Sequence, residues 1–174
     1  SVLTACSSDD NNDNGGNGNN GNGNEIENGT TLKGTITSDV TLTAGSTYKL
    51  SGEYIVEDGA TLNIEAGVKI ISIYDDIVDY ILVKQGGKIN AVGTSSAPIV
   101  MTSEKEEPGA WGGIHICGKA HTNAEGGKGS SEIGGATYGG NDDADNSGTL
   151  KYVRVEYSGY AFDSEHEANG ITFY

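Results

Sequence analysis

Apolar residues come in pairs two positions apart from residue 40 onward: Val40/Leu42, Tyr48/Leu50, Tyr54/Val56, Leu62/Ile64 and Val68/Ile70. Alternation with period two is the pattern of a strand with one buried and one wet face. The pairs recur every fourteen residues, which puts Val40, Tyr54 and Val68 in register, and likewise Tyr48 with Leu62 and Leu50 with Ile64. Turns repeat with them. Gly45-Ser46-Thr47-Tyr48-Lys49-Leu50 aligns with Gly59-Ala60-Thr61-Leu62-Asn63-Ile64, and Gly86-Gly87-Lys88-Ile89-Asn90-Ala91 is a looser copy 27 residues later. A glycine where the chain must turn, followed by a short alternating strand, predicts an all-β solenoid whose stacked copies bury a continuous apolar column.

The same grammar continues less regularly through Ile99/Met101, Ile114/Ile116, Val153/Val155 and Ile171/Phe173. Insertions separate these pairs, notably 104–109 and a Gly/Asn/Asp-rich stretch from about 121 to 148. Helical spacing occurs only at Ile73, Ile77 and Tyr80 or Ile81, beside Asp75, Asp76 and Asp79, which predicts either one short helix or an acidic loop. An antiparallel β-sandwich would also use many short strands. It has no reason to repeat its glycine corner in register, so the solenoid is preferred.

Residues 7–28 are Asn, Gly, Asp and Ser with Ile26 as the one apolar residue, too little to offset the entropy of ordering. They are expected to form a disordered tether, leaving 29–174 as the folded domain. The chain carries 25 acidic against 10 basic residues, a net charge of −15. A surface of that sign, with Arg154 as the single arginine, excludes nucleic acid as a partner. The two cysteines, Cys6 and Cys117, lie far apart in the sequence and give no disulfide framework.

Leu3-Thr4-Ala5-Cys6 matches the bacterial lipobox, in which a cysteine is acylated and becomes the new N-terminus. Residues 1–6 therefore read as the remnant of a lipoprotein signal peptide, with palmitate-type chains on Cys6 as the membrane anchor. Ser7-Ser8-Asp9-Asp10 resembles the short acidic signals that send such proteins to the outer face of the outer membrane.

The run from Val56 to Ile70, then Ala97-Pro98-Ile99-Val100-Met101-Thr102-Ser103, Trp111-Gly112-Gly113-Ile114, and the segment from Gly148 to Tyr157 together resemble the right-handed parallel β-helix surface lipoproteins of Bacteroides-type bacteria. The resemblance spans 32–174 with interruptions. It implies a right-handed parallel β-helix displayed on the cell exterior, with coils beyond Tyr174. The resemblance implies place and shape rather than chemistry; the function expected here is non-enzymatic binding of a polysaccharide or other glycan, of matrix or of another surface component. The alternatives are a carbohydrate-active enzyme with its site in later coils, or a structural spacer.

Three sets of residues invite chemistry. Asp142, Asp143 and Asp145, in Asn141-Asp142-Asp143-Ala144-Asp145-Asn146-Ser147-Gly148, resemble the first half of a calcium loop, although Arg154 stands where the closing glutamate belongs. His115, Cys117 and His121 have the spacing of zinc ligands, with Ile114 and Ile116 on the opposite strand face. Carboxylate neighbours such as Asp75/Asp76 point to opposite faces on a strand, which disfavours an acid–base pair. Nine tyrosines and Trp111 supply rings that stack on sugars if exposed, whereas core positions are expected for Tyr48, Tyr54 and Trp111.

Overall fold

The computed structural model describes residues 24–164 and 166–174. The chain winds as a parallel β-helix, coil upon coil. The first coil holds β1 (Asn24–Ile26) and β2 (Thr31–Ile36), and the second β3 (Val40–Leu42) and β4 (Thr47–Val56). The third holds β5 (Thr61–Ile64), β6 (Lys69–Ser72) and β7 (Tyr80–Val83), and the fourth β8 (Lys88–Val92), β9 (Ile99–Ser103) and β10 (Ile114–Ile116). An insertion carrying β11 (Gly129–Ser130) and β12 (Thr137–Tyr138) precedes the fifth coil, made of β13 (Gly148–Lys151), β14 (Val153–Val155) and β15 (Ile171–Phe173). Among the described residues there is no α-helix.

Three faces result. One is β1-β3-β5-β8-β13. Strands β2 and β4 bend midway and serve two faces: residues 47–50 of β4 pair with β6, whereas 53–56 pair with β7. The second face therefore runs through β6, β9 and β14, and the third through β7, β10 and β15. Every pairing between coils is parallel. Inward positions stack into columns such as Leu42-Ile64-Ala91-Leu150 and Tyr54-Ile81-Ile114-Ile171, which form one apolar core. Stacking at about 4.8 Å per coil makes these columns continuous.

The coil is not the fourteen-residue unit. Val40 lies beside Leu62, Tyr48 beside Ile70 and Tyr54 beside Ile81. The looser copy is the true stack, because Thr61 pairs with Lys88 and Leu62 with Ile89, 27 residues on. Fourteen residues separate two different corners, Gly45 and Gly59, with the bend of β4 at 51–52 between them. Gly45 and Gly59 both turn with positive φ, +71° and +82°, and each turn closes by an N–H to the carbonyl three residues back. Two corners built from the same turn chemistry look like a repeat in the sequence.

The boundary of the tether also shifts. Asn24–Ile26, expected to be disordered, form β1 against β3, and the Tyr48 hydroxyl donates to the Ile26 carbonyl at 2.9 Å. A three-residue strand at an end coil needs only one inward apolar residue, and Ile26 supplies it. The segment around Ile73 to Asp79 is the loop rather than the helix, joining β6 to β7.

The insertion 117–147 folds back over the outside of the third face. Ile133 and Ala136 cover Ile55, Tyr80, Leu82 and Cys117, forming a second apolar cluster outside the prism. This explains why an outward row, Ile55-Leu82-His115, is buried.

Candidate functional site

The corner between the second and third faces grows coil by coil. It is the bend at 51–52 in the second coil, then loops 73–79, 104–113 and 156–170 in the third, fourth and fifth. The base of this lip is polar and closed to solvent. Asp79 is buried, accepting hydrogen bonds from the Ser72 hydroxyl at 2.7 Å and from the Gly52 N–H, while its backbone carbonyl accepts from Gly112 N–H at 2.7 Å. Burial pushes its carboxyl up to about 6, against the lowering effect of those donors. Trp111, also buried, donates from Nε1 to the Glu156 carbonyl at 2.7 Å and so ties loop 104–113 to loop 156–170.

Above this base the loops leave a groove of about 310 Å³ that crosses three coils. Loop 73–79 lines it with Tyr74, Asp75, Asp76 and Ile77, loop 104–113 with Lys105, and loop 156–170 with Tyr160. Tyr74 is 59% exposed and Ile77 61%, large apolar surfaces facing water at one site. The Lys105 ammonium lies 4.5 Å from the Tyr74 ring centroid and donates to its hydroxyl at 3.2 Å. Glu107 pairs with the same ammonium at 3.2 Å, and these partners hold Lys105 charged, above the ordinary lysine value. Tyr160 meets Phe162 edge-on, with centroids 5.0 Å apart. A concave surface of that size, mostly polar and carrying the rings of Tyr74 and Tyr160, suits an oligomer with many hydroxyls and some flat apolar faces.

Of the carboxylates singled out in the sequence, Asp75 and Asp76 line this groove, and the others lie elsewhere. Asp142, Asp143 and Asp145 do not converge. Asp142 accepts from Ala144 N–H within its own turn, whereas Asp143 accepts from His121 N–H and Asp145 from Lys119 N–H, so two of the carboxylates tie this loop back to residues 119–121. Among the described residues no three His, Cys, Asp or Glu side chains form a group able to hold a metal. His115 is buried beneath the insertion, with Nε2 donating to the Gly112 carbonyl at 2.7 Å and Nδ1 accepting from the Tyr174 hydroxyl at 3.2 Å. Burial lowers its pKa and raises that of the buried Cys117 thiol, the residue with which zinc binding would begin. His121 is exposed. Tyr48, Tyr54 and Trp111 are core residues, as the alternation pattern led one to expect. Cys6 lies outside the described residues.

The groove itself was not legible as a motif. Tyr74 and Lys105 are 31 residues apart, the same separation as the stacked pair Ile70 and Met101, so the true coil length was the signal that would have found it.

Comparison with known proteins adds one match: a family model described as a pectate-lyase-like beta helix domain covers residues 34–174. No curated protein and no solved structure matches.

Proposed function

The chain belongs to the pectate-lyase-like β-helix domains, and we propose that it is a cell-surface lipoprotein whose β-helix binds glycan at the groove over Lys105. The observation that carries the binding reading is Tyr74, exposed at the groove with its ring oriented by Lys105. A family of carbohydrate-active folds is compatible with that use. The surface role rests on Leu3-Thr4-Ala5-Cys6 and the acidic Asn/Gly-rich run after it. Acyl chains on Cys6 would anchor the protein in the outer membrane, and no helix among the described residues is long and apolar enough to cross one.

Two expected results test the two halves. Cys6→Ala abolishes incorporation of labelled palmitate in the producing cell, and continued labelling sinks the lipoprotein assignment. Tyr74→Ala weakens binding to a soluble glycan at least about tenfold in calorimetry or affinity electrophoresis, in line with the loss of one stacking platform. Because Tyr74 is exposed, the variant keeps the fold, and unchanged affinity removes the groove as the site. Release of new reducing ends from a bound glycan would favour the second reading, a carbohydrate-active enzyme, for which Asp75 and Asp76 in the same groove are the nearest carboxylates.

A further inference from the structure

Resting on the glycan-binding reading, we propose that the groove over Lys105 takes uncharged glycan chains and rejects chains that carry uronate carboxylates. The family description points to pectate, a polyanion, and the charges at this groove point the other way.

Asp75 and Asp76 line the groove, and Lys105 is the one cation among its described lining residues. That cation is already engaged. Of its ammonium's three donors, Lys105 directs two to the Tyr74 hydroxyl and Glu107 while it rests on the Tyr74 ring. A uronate entering the groove would meet two aspartates and a lysine already paired with Glu107. The planar bidentate partner that carboxylates favour is absent here too, because Arg154, the only arginine, pairs with Glu156 at 2.8 Å on the outside of the β14 strand end and does not line the groove. The wider field acts in the same direction, since the chain carries 25 acids against 10 bases.

Uncharged sugars find matching partners. The exposed Tyr74 ring and Ile77 offer flat apolar area for the C–H face of a pyranose, and the Asp75 and Asp76 carboxylates accept from hydroxyls in charge-assisted hydrogen bonds. Asp75 already accepts from Ile77 N–H at 2.8 Å, which fixes the loop that presents both carboxylates.

The test compares the full chain by affinity electrophoresis on soluble xylan, mixed-linkage β-glucan, galactomannan and polygalacturonate, at low and at physiological ionic strength. At least one neutral polymer is expected to retard migration, with a loss of about tenfold or more in Tyr74→Ala. Polygalacturonate is expected to give no retardation at low salt, and the double variant Asp75→Asn, Asp76→Asn to gain affinity for it. If polygalacturonate binds more tightly than every neutral polymer and Lys105→Ala abolishes that binding, charge selection is wrong while the groove remains the glycan site. If no polymer binds, or Tyr74→Ala changes nothing, the binding reading falls and the selectivity with it.

Discussion

Trp111→Ala is expected to destabilise the domain by about 3–5 kcal/mol, the range for removing a large aromatic from a packed core. The indole is 1% exposed and belongs to the main core cluster, so its loss opens a cavity at the lipped corner. It also leaves the Glu156 carbonyl without its 2.7 Å donor. Around that bond the two loops share further contacts: Gly109 N–H donates to the Ser158 carbonyl, Ala110 N–H to that of Tyr157, and Tyr160 N–H to that of Trp111. Trp111→Phe restores most of the burial and not the hydrogen bond, and it should recover more than half of the loss. Urea denaturation followed by circular dichroism gives the comparison, because Trp111 is the only tryptophan and its fluorescence disappears with it. An alanine variant within about 1 kcal/mol of the parent would mean that the indole is not the wedge between these loops. Since Tyr160 hangs on the same loop pair, the alanine variant should weaken glycan binding as well.

Alternation carried the architecture. Val40/Leu42 and Leu62/Ile64 are inward pairs of one face because a strand exposes every second side chain to the core, and that rule holds whatever the coil length. Coil length was harder to read. Gly45 and Gly59 use one turn geometry at two different corners, so the sequence shows a half-step where the structure stacks Leu62 on Ile89. His115 shows a second limit. Its strand alternates as expected, with Ile114 and Ile116 inward, yet the outward face is dry because Ile133 and Ala136 arrive from an insertion whose composition reads as loop. The acidic run with Asp142, Asp143 and Asp145 has the residue types of a cation loop, but Asp142 accepts from its own turn while Asp143 and Asp145 accept from the N–H groups of His121 and Lys119, a pairing across the insertion that no local spacing announces. The groove is the product of stacking alone. Tyr74, Lys105 and Tyr160 come from three coils, and nothing local marks them as neighbours.

Stability is expected to rise as pH falls from 7.5 toward 4.5 through Asp79, by up to roughly 2–3 kcal/mol. The carboxyl titrates near 6 in the folded chain against 3.8 as its ordinary value. A raised acid means that the folded state holds the proton more tightly than the unfolded state does. The favourable contribution is therefore complete below about 3.8 and is lost as pH rises through about 6. The groups facing it are the Ser72 hydroxyl, the N–H groups of Gly52 and Ile73, and the Asp75 carboxylate, whose charge adds to the rise. His115 works against this trend, because a buried neutral imidazole with a lowered pKa disfavours the fold once the unfolded chain protonates. The comparison with Asp79→Asn cancels that opposing contribution. Asparagine keeps an acceptor for Gly52 N–H and places an amide against the Ser72 oxygen, so the variant folds and loses only the titration. Asp79→Ala instead leaves buried donors unpaired at the base of the lip, at a cost of about 3 kcal/mol. Denaturation midpoints for the parent and Asp79→Asn should converge at pH 4.5 and separate at pH 7.5, with the asparagine variant the more stable there. Parallel profiles across that interval would show that Asp79 is not the group that couples the lip to pH.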